Sequence, residues 1–491
     1  MLQHSGVTPT WTIAATLLAD GPAAPAGPYR HGLSLLHGWL PGLIEGVTAT
    51  VLLLAIGWRS RRWRFVWMPV ALLVGVAAAG WTHWYVDLEG MSDDPAPQAL
   101  WIWVGLSGLA LTVVVVGWNS ARWWRRVTSF VAVPLCVLSA GVALNQWVGY
   151  FPTVQTAWNQ LTAGPLPDET DMATVTAMQQ NHTVPTHGAV VPVTIPSDAS
   201  QFKHRTELVY LPPAWFASNP PPKLPTVMMI AGEFNTPADW LRTGSAAKTM
   251  DDFARAHGGN APVLVFVDSG GSFNNDTECV NGSRGSAADH LTKDVVPFMV
   301  SQFGVSSNSA NWGIVGWSMG GTCAVDLTVM HPELFSSFVD VAGDLAPTAG
   351  TKDQTIARLF RGDPNAWAAF DPTTVITKHG PYTGVSGWFA ISSTPMPQRH
   401  NVEVSNDAVG LGGRDAAGNP GDQTEAANTL CALGKADGIN CTVVSSPGKH
   451  DWPFATDTFA SSLPWLAGQL GTPGVPRIPL PGQAPPPPVA N

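Results

Sequence analysis

The sequence has 491 residues, a net charge of −10 and 22 tryptophans. That acidic balance, with no basic, aromatic-laced patch outside a few arginine clusters, argues against nucleic acid as a partner. The length suffices for an apolar membrane region followed by one catalytic domain of about 270 residues.

The first 150 residues carry four apolar stretches, at 40–58, 65–86, 99–118 and 127–148. Each approaches the roughly 20 residues that cross a hydrocarbon core as a helix. Arg59, Arg61, Arg62 and Arg64 lie between the first two, and Arg122, Arg125 and Arg126 between the last two, while residues 87–98 are acidic. The positive-inside rule puts the arginine loops in the cytoplasm and both ends of the region outside. The stretches also repeat: Gly57-Trp58-Arg59-Ser60 and Gly117-Trp118-Asn119-Ser120 match, and Pro69 and Pro134 follow in turn. Two copies of one helical hairpin account for this. Tryptophans at the span ends suit an interfacial belt, and Glu45 and His83 are expected near the outer interface. Segment 11–19 is too short, and lacks the basic flank, for a cleavable signal peptide, so the first span is the expected export signal.

Residues 1–150 are therefore read as a four-helix transmembrane region and 151–186 as a polar linker. Residues 187–471 form the catalytic domain, and 472–491 a Pro-rich tail expected to be extended. Within the catalytic domain, residues 226–230 read as an early strand followed by the loop Ala231-Gly232-Glu233-Phe234-Asn235. Further on, Gly316-Trp317-Ser318-Met319-Gly320 is a G-x-S-x-G pentapeptide between a short strand, 311–315, and a helix of small residues. A serine on such a strand-to-helix elbow needs flanking glycines because the backbone is strained and crowded, and its hydroxyl then stands above the sheet. After an apolar stretch, 441–444, comes Pro447-Gly448-Lys449-His450-Asp451-Trp452. His450 is thus a loop histidine after the last strand, where a neutral imidazole can take the serine proton and return it to a leaving group. His379 and His400 come too early for that order.

From Pro192 to Leu470 the chain resembles the esterase D and secreted mycolyltransferase group of α/β-hydrolases. The resemblance rests on the elbow and on Leu291-Thr292-Lys293-Asp294-Val295-Val296-Pro297-Phe298 before it. Met330-His331-Pro332-Glu333-Leu334-Phe335 after it, and Gly448-Lys449-His450-Asp451-Trp452, complete the set. It implies an α/β fold, a mostly parallel sheet flanked by helices, behind the membrane bundle. It also implies a triad of Ser318, His450 and an acid. Residues 387–393 read as the strand before the acid, but a long polar loop with Asp407, Asp415 and Asp422 follows, then a helix over 424–433. Asp415, in a Gly-Gly-Arg-Asp turn like that of esterase D, is the first candidate. Asp422 is the second, although with Glu425 it also forms a capping box. Glu425 is the third, by likeness to the mycolyltransferases.

The oxyanion hole is expected from the backbone amides of Met319 and Glu233. Gly232, Asp239, Trp240 and Trp317 are candidate substrate-binding residues, with core packing an equal reading of Trp240. Of the five cysteines, Cys431 and Cys441 either pair in an oxidising compartment or stay as two buried thiols. Neither C-x-x-C nor H-E-x-x-H occurs, so the sequence calls for no metal or other cofactor. The expected protein is a multi-pass plasma-membrane serine esterase or acyltransferase, its catalytic domain extracytoplasmic and its partners an ester or lipid substrate and the bilayer. Transfer between envelope glycolipids is what the mycolyltransferase resemblance implies. The alternative is a non-catalytic envelope protein keeping the hydrolase shell to bind lipid or partners. Substrate, acyl acceptor and oligomeric state are not legible in the sequence.

Overall fold

A computed structural model describes residues 32–89, 96–162, 164, 166–272, 275–392 and 423–483, without the side chains of 87–89 and 159. Asp407, Asp415, Asp422, His400 and segment 11–19 lie outside the described residues.

Four helices long and apolar enough to cross a membrane come first: α1 (Trp39–Ile56), α2 (Trp63–Val86), α3 (Gln98–Ser120) and α4 (Trp123–Val148). Their outward positions stay apolar, with Leu53, Leu73, Val115 and Phe130 all exposed, as expected of helices solvated by lipid. Small residues bring α2 and α3 together: a Cβ on Gly75 would stand 2.5 Å from the Gly105 carbonyl oxygen. In the interior the Ser139 hydroxyl donates to Thr48 Oγ1 at 2.9 Å. At one end of the bundle the arginines lie over tryptophan rings, Arg59 4.0 Å from the Trp63 centroid and Arg64 4.5 Å from that of Trp58. At the other end the chain entering α1 and the chain leaving α4 are clasped as a short antiparallel bridge. The Leu35 amide donates to the Pro152 carbonyl at 3.0 Å, and the Val154 amide to the Leu33 carbonyl at 2.9 Å.

The stretch expected to be a plain linker holds two short helices, α5 (Val154–Leu161) and α6 (Met172–Gln180). Thr153 and Asp171 cap them, each side chain accepting an amide of the first turn. In the sequence the short apolar stripe of α5 is masked by its polar neighbours.

Eight strands then build one sheet. They are β1 (Ala189–Val193), β2 (Glu207–Leu211), β3 (Thr226–Ile230), β4 (Val263–Val267), β5 (Trp312–Trp317), β6 (Ser337–Val341), β7 (Ser386–Ser392) and β8 (Asn440–Ser446). Their spatial order is β1-β2-β4-β3-β5-β6-β7-β8, with β2 antiparallel to both neighbours and every later pairing parallel. This is an α/β-hydrolase sheet. The central strands are buried on both faces, which is why Val-Leu-Val-Phe-Val at β4 shows no alternation. One face is covered by α7 (Met319–Met330) and α8 (Gln423–Ala436), the other by α9 (Trp452–Gln469).

Two disulfides tie loops to this core: Cys431–Cys441, joining α8 to β8, and Cys279–Cys323, joining the loop after β4 to α7. The first was one of two readings of the sequence; the second was not foreseen. On the chain-entropy account the longer closed loop restrains the unfolded chain more. The pair Cys279→Ser/Cys323→Ser, with a separation of 44, should therefore lower the thermal midpoint of the hydrolase domain more than Cys431→Ser/Cys441→Ser, with a separation of 10. The expected losses are about 4 and about 3 kcal/mol. Calorimetry giving the reverse order would refute this account.

Candidate active site

Ser318 sits between β5 and α7 with φ 58° and ψ −124°, a conformation a side chain rarely adopts. The surroundings enforce it. A Cβ on Gly316 would overlap the Gly320 carbonyl, and one on Gly320 would overlap the Ile230 carbonyl of β3. The elbow glycines are thus required by close backbone approach on both sides of the serine. The Ser318 amide donates to the Val341 carbonyl of β6 at 2.9 Å, which pins the turn to the sheet.

His450 lies in the loop between β8 and α9, and its Nε2 stands 2.9 Å from Ser318 Oγ. Both side chains are half-buried. The ring of Trp317 stacks obliquely on the imidazole, 5.4 Å between centroids, and on Trp452 at 4.7 Å. On the far side of the ring, Gln423 Nε2 is 2.9 Å from His450 Nδ1. A half-turn of that amide would present oxygen instead and hold the proton on Nδ1, leaving Nε2 free to accept from serine. Gln423 begins α8, immediately beyond the segment that holds Asp415 and Asp422. Glu425 is exposed on the first turn of α8.

The loop after β3 comes close to the serine. A Cβ on Gly232 would lie 3.2 Å from Ser318 Cβ, so glycine lets the backbone of residues 232 and 233 approach the hydroxyl. Met319 opens α7, where an amide has no acceptor within its own helix. Gly232, next to Glu233 in the chain, and Met319, the first residue of α7, both adjoin Ser318.

Of the candidate substrate-binding residues, Trp240, Asp239 and Trp317 are all buried. Trp240 is fully buried, edge-on to Trp452 at 5.3 Å, so it is a core residue. Asp239 is also fully buried; it accepts from the Thr236 amide at 2.6 Å and from Gln160 Nε2 at 2.7 Å. It joins the hydrolase domain to α5. Trp317 is 5% exposed, and its contacts hold His450 and Trp452 in place. In each case the apolar or polar character of the residue was visible, but the element that covers it comes from a distant part of the chain.

An acidic cluster beside the oxyanion loop was missed. Glu233, Asp276, Glu278 and Asp344 act on one another electrostatically, with Arg284 as the nearby cation. Arg284 donates to the Asp276 carbonyl at 2.7 Å. Glu278 is 1% exposed, and its Oε2 has no hydrogen-bond partner among the described residues. Burial first, and the neighbouring carboxylates second, push Glu233 and Glu278 well above the usual carboxylate range; burial pushes Asp276 up to about 6. The loop is fixed to α7 by Cys279–Cys323, and the Asp344 amide donates to Thr322 Oγ1 at 2.9 Å. A cysteine inside the helix of the elbow was the one sequence signal for this arrangement.

One group of described residues has the make-up of a metal site: His204, Glu207 and His290. Its nitrogens are engaged otherwise. His204 faces the carbonyls of Arg205 and Ile195, each at 2.8 Å, and His290 faces Glu207 at 3.2 Å and Asp294 at 3.3 Å. The two rings stack at 4.3 Å. Burial alone would depress the His290 pKa, but the two carboxylates outweigh it and raise it. The group reads as a strut between β2 and the helix that follows the acidic loop.

A family model described as "Putative esterase" matches residues 200–453, just over half of the chain. The chain belongs to this esterase family. An esterase-type function, hydrolysis of a carboxylic ester, follows from membership. An uncharacterized protein of Corynebacterium glutamicum is 28% identical over 436 residues, covering 86% of this chain and 94% of that protein. So long a match has to include part of the N-terminal helices. Among solved structures, an S-formylglutathione hydrolase from Agrobacterium tumefaciens is 16% identical with a TM-score of 0.45, covering 58% of this chain and 97% of its own. MPT51 of Mycobacterium tuberculosis is 18% identical with a TM-score of 0.37, covering 57% and 97%.

The raised carboxylates of this esterase carry a prediction about stability. A carboxyl whose pKa is raised by folding holds its proton longer in the folded state, so stability is lost as pH rises from the unfolded value of about 4. Glu278→Gln removes one such group. It should raise the melting temperature at pH 8 and leave it unchanged at pH 4. A variant less stable than the parent at pH 8 would show that the ionised carboxylate contributes to the fold.

Proposed function

We propose that the protein is a membrane-anchored serine esterase that acts outside the cytoplasm through an acyl-enzyme on Ser318. The observation that carries this reading is the 2.9 Å contact between Ser318 Oγ and His450 Nε2 at a strained elbow. Ser318 Oγ attacks the ester carbonyl while its proton passes to His450 Nε2. The oxygen of the tetrahedral intermediate accepts from the Met319 and Glu233 amides, and electrostatic stabilisation of this kind is worth about 3–4 kcal/mol per donor. His450 then gives the proton to the departing alcohol. Water attacks the acyl-enzyme by the same route and returns the serine; an alcohol in place of water would make the same chemistry an acyl transfer.

The proposed acid comes from the segment between β7 and α8 or from the first turn of α8, with Asp415 first, then Asp422, then Glu425. The sheet order favours this, because the strand before that segment and the strand before His450 lie side by side. Gln423 is the residue on the described side of the imidazole that would orient it together with the acid. For the orientation, the arginines cluster at the bundle end opposite the hydrolase, which on the positive-inside rule puts the hydrolase outside.

In detergent, the full-length protein should hydrolyse a p-nitrophenyl ester and take up one fluorophosphonate label. Ser318→Ala should abolish both without changing the melting temperature, whereas labelling that survives would remove Ser318 as the nucleophile.

Asp415→Asn should lower turnover by up to ~10⁴-fold with little change in KM. By contrast, Asp422→Asn should cost about 1 kcal/mol of stability and keep turnover, as a helix cap does. Loss of turnover in Asp422→Asn or Glu425→Gln, with Asp415→Asn fully active, would move the acid to that residue.

A further inference from the structure

The bundle and the hydrolase meet through α5, and this helix has two unlike sides. Its Thr156, Ala157 and Gln160 side is half-buried against the hydrolase. Gln160 Nε2 donates to Asp239 at 2.7 Å, and the same carboxylate receives the Thr236 amide at the end of the oxyanion loop. The other side is apolar and uncovered: Val154, Trp158 and Leu161 are 40%, 64% and 77% exposed. They stand at i, i+4 and i+7 and so form one stripe along the helix. Nothing in the hydrolase requires a tryptophan and a leucine in water at these positions.

The place of α5 in the chain says what covers the stripe. It starts six residues after the last residue of α4, and Thr153, its cap, is clasped to Ser34 just ahead of α1. Gly149, the left-handed residue that ends α4, packs so closely on Asp451 that a Cβ there would overlap it. Asp451 adjoins His450. The same end of the bundle carries Trp39, 64% exposed, Trp81, 68%, and Trp84, 51%, the residue type that marks the boundary of a bilayer. An amphipathic helix at this level is continuous with the lipid-facing surface of α1–α4.

We propose that α5 lies in the interfacial layer of the bilayer on the hydrolase side, its Val154–Trp158–Leu161 stripe against lipid. By its other side, through Gln160 and Asp239, it holds the oxyanion loop at that surface. A helix of this kind sinks its apolar face about 5–10 Å into the headgroup and acyl boundary. The proposal rests on α1–α4 crossing the bilayer, and it is independent of the chemistry assigned to Ser318.

The test is spin-label accessibility of the full chain in phosphatidylcholine–phosphatidylglycerol nanodiscs, in a Cys136→Ala background. Leu161→Cys carries the probe. Val137→Cys on the outer face of α4 is the bilayer reference, and Glu333→Cys, exposed on the hydrolase, is the aqueous one. The Leu161→Cys label should collide with oxygen severalfold more often than with a water-soluble nickel chelate, approaching the Val137→Cys label. Fluorophosphonate labelling should stay at the parental level in the same sample. A Leu161→Cys label that matches Glu333→Cys, while Val137→Cys keeps its lipid profile, would overturn the proposal. A Val137→Cys label open to the chelate would overturn the membrane reading and this proposal together, leaving the Ser318 assignment untouched.

Discussion

The backbone of Ser318 is the constraint on which the site depends. A positive φ at a non-glycine residue costs of order 1–3 kcal/mol and persists only where its surroundings leave no alternative. Here the surroundings are the sheet itself. β3 presses on Gly320, Gly320 presses on Gly316, and β6 takes the Ser318 amide. The serine is therefore held by three neighbouring strands, and the hydroxyl direction follows from the order in which those strands pair. His450 has no such freedom of placement either. It follows β8, which pairs with β7 over seven residues, and its ring is wedged by Trp317, one residue before the serine.

The parts of this arrangement that were legible in the sequence are those encoded over a few consecutive residues. The elbow, the strand 226–230 and the histidine loop are short and contiguous, and each was expected within a residue or two of where it stands. The four long apolar helices were legible for the same reason, because 18 or more predominantly apolar residues admit few readings. What was not legible depends on residues far apart. The burial of Trp240 and Asp239 is one example, because nothing near them in the chain announces that α9 and α5 cover them. The acidic cluster draws Glu233, Asp276, Glu278 and Asp344 from three loops. The candidates for the acid, Asp415, Asp422 and Glu425, crowd one polar stretch of sequence whose composition does not choose among them.

The acidic cluster and the elbow are mechanically one unit. Cys323 is on the helix that Ser318 begins, and its disulfide reaches the residue after Glu278. Thr322 receives the Asp344 amide from the opposite side. Glu233 adds a carboxyl on the oxyanion loop itself. A site flanked by acids that hold their protons above the usual carboxylate range can donate hydrogen bonds where ionised carboxylates could only accept them.

The clasp between residues 33–35 and 152–154 turns the bundle from four strung helices into a closed ring of chain. Pulling α1 from α4 at that end would strip two backbone hydrogen bonds, about 1 kcal/mol each. The ring also gives the helices leverage. A change in the tilt of α1 or α4 would be carried through Thr153 to α5 and from Gln160 to Asp239, at the foot of the oxyanion loop. On the proposed membrane reading, thickening or thinning of a surrounding bilayer would have a short route to the atoms around Ser318.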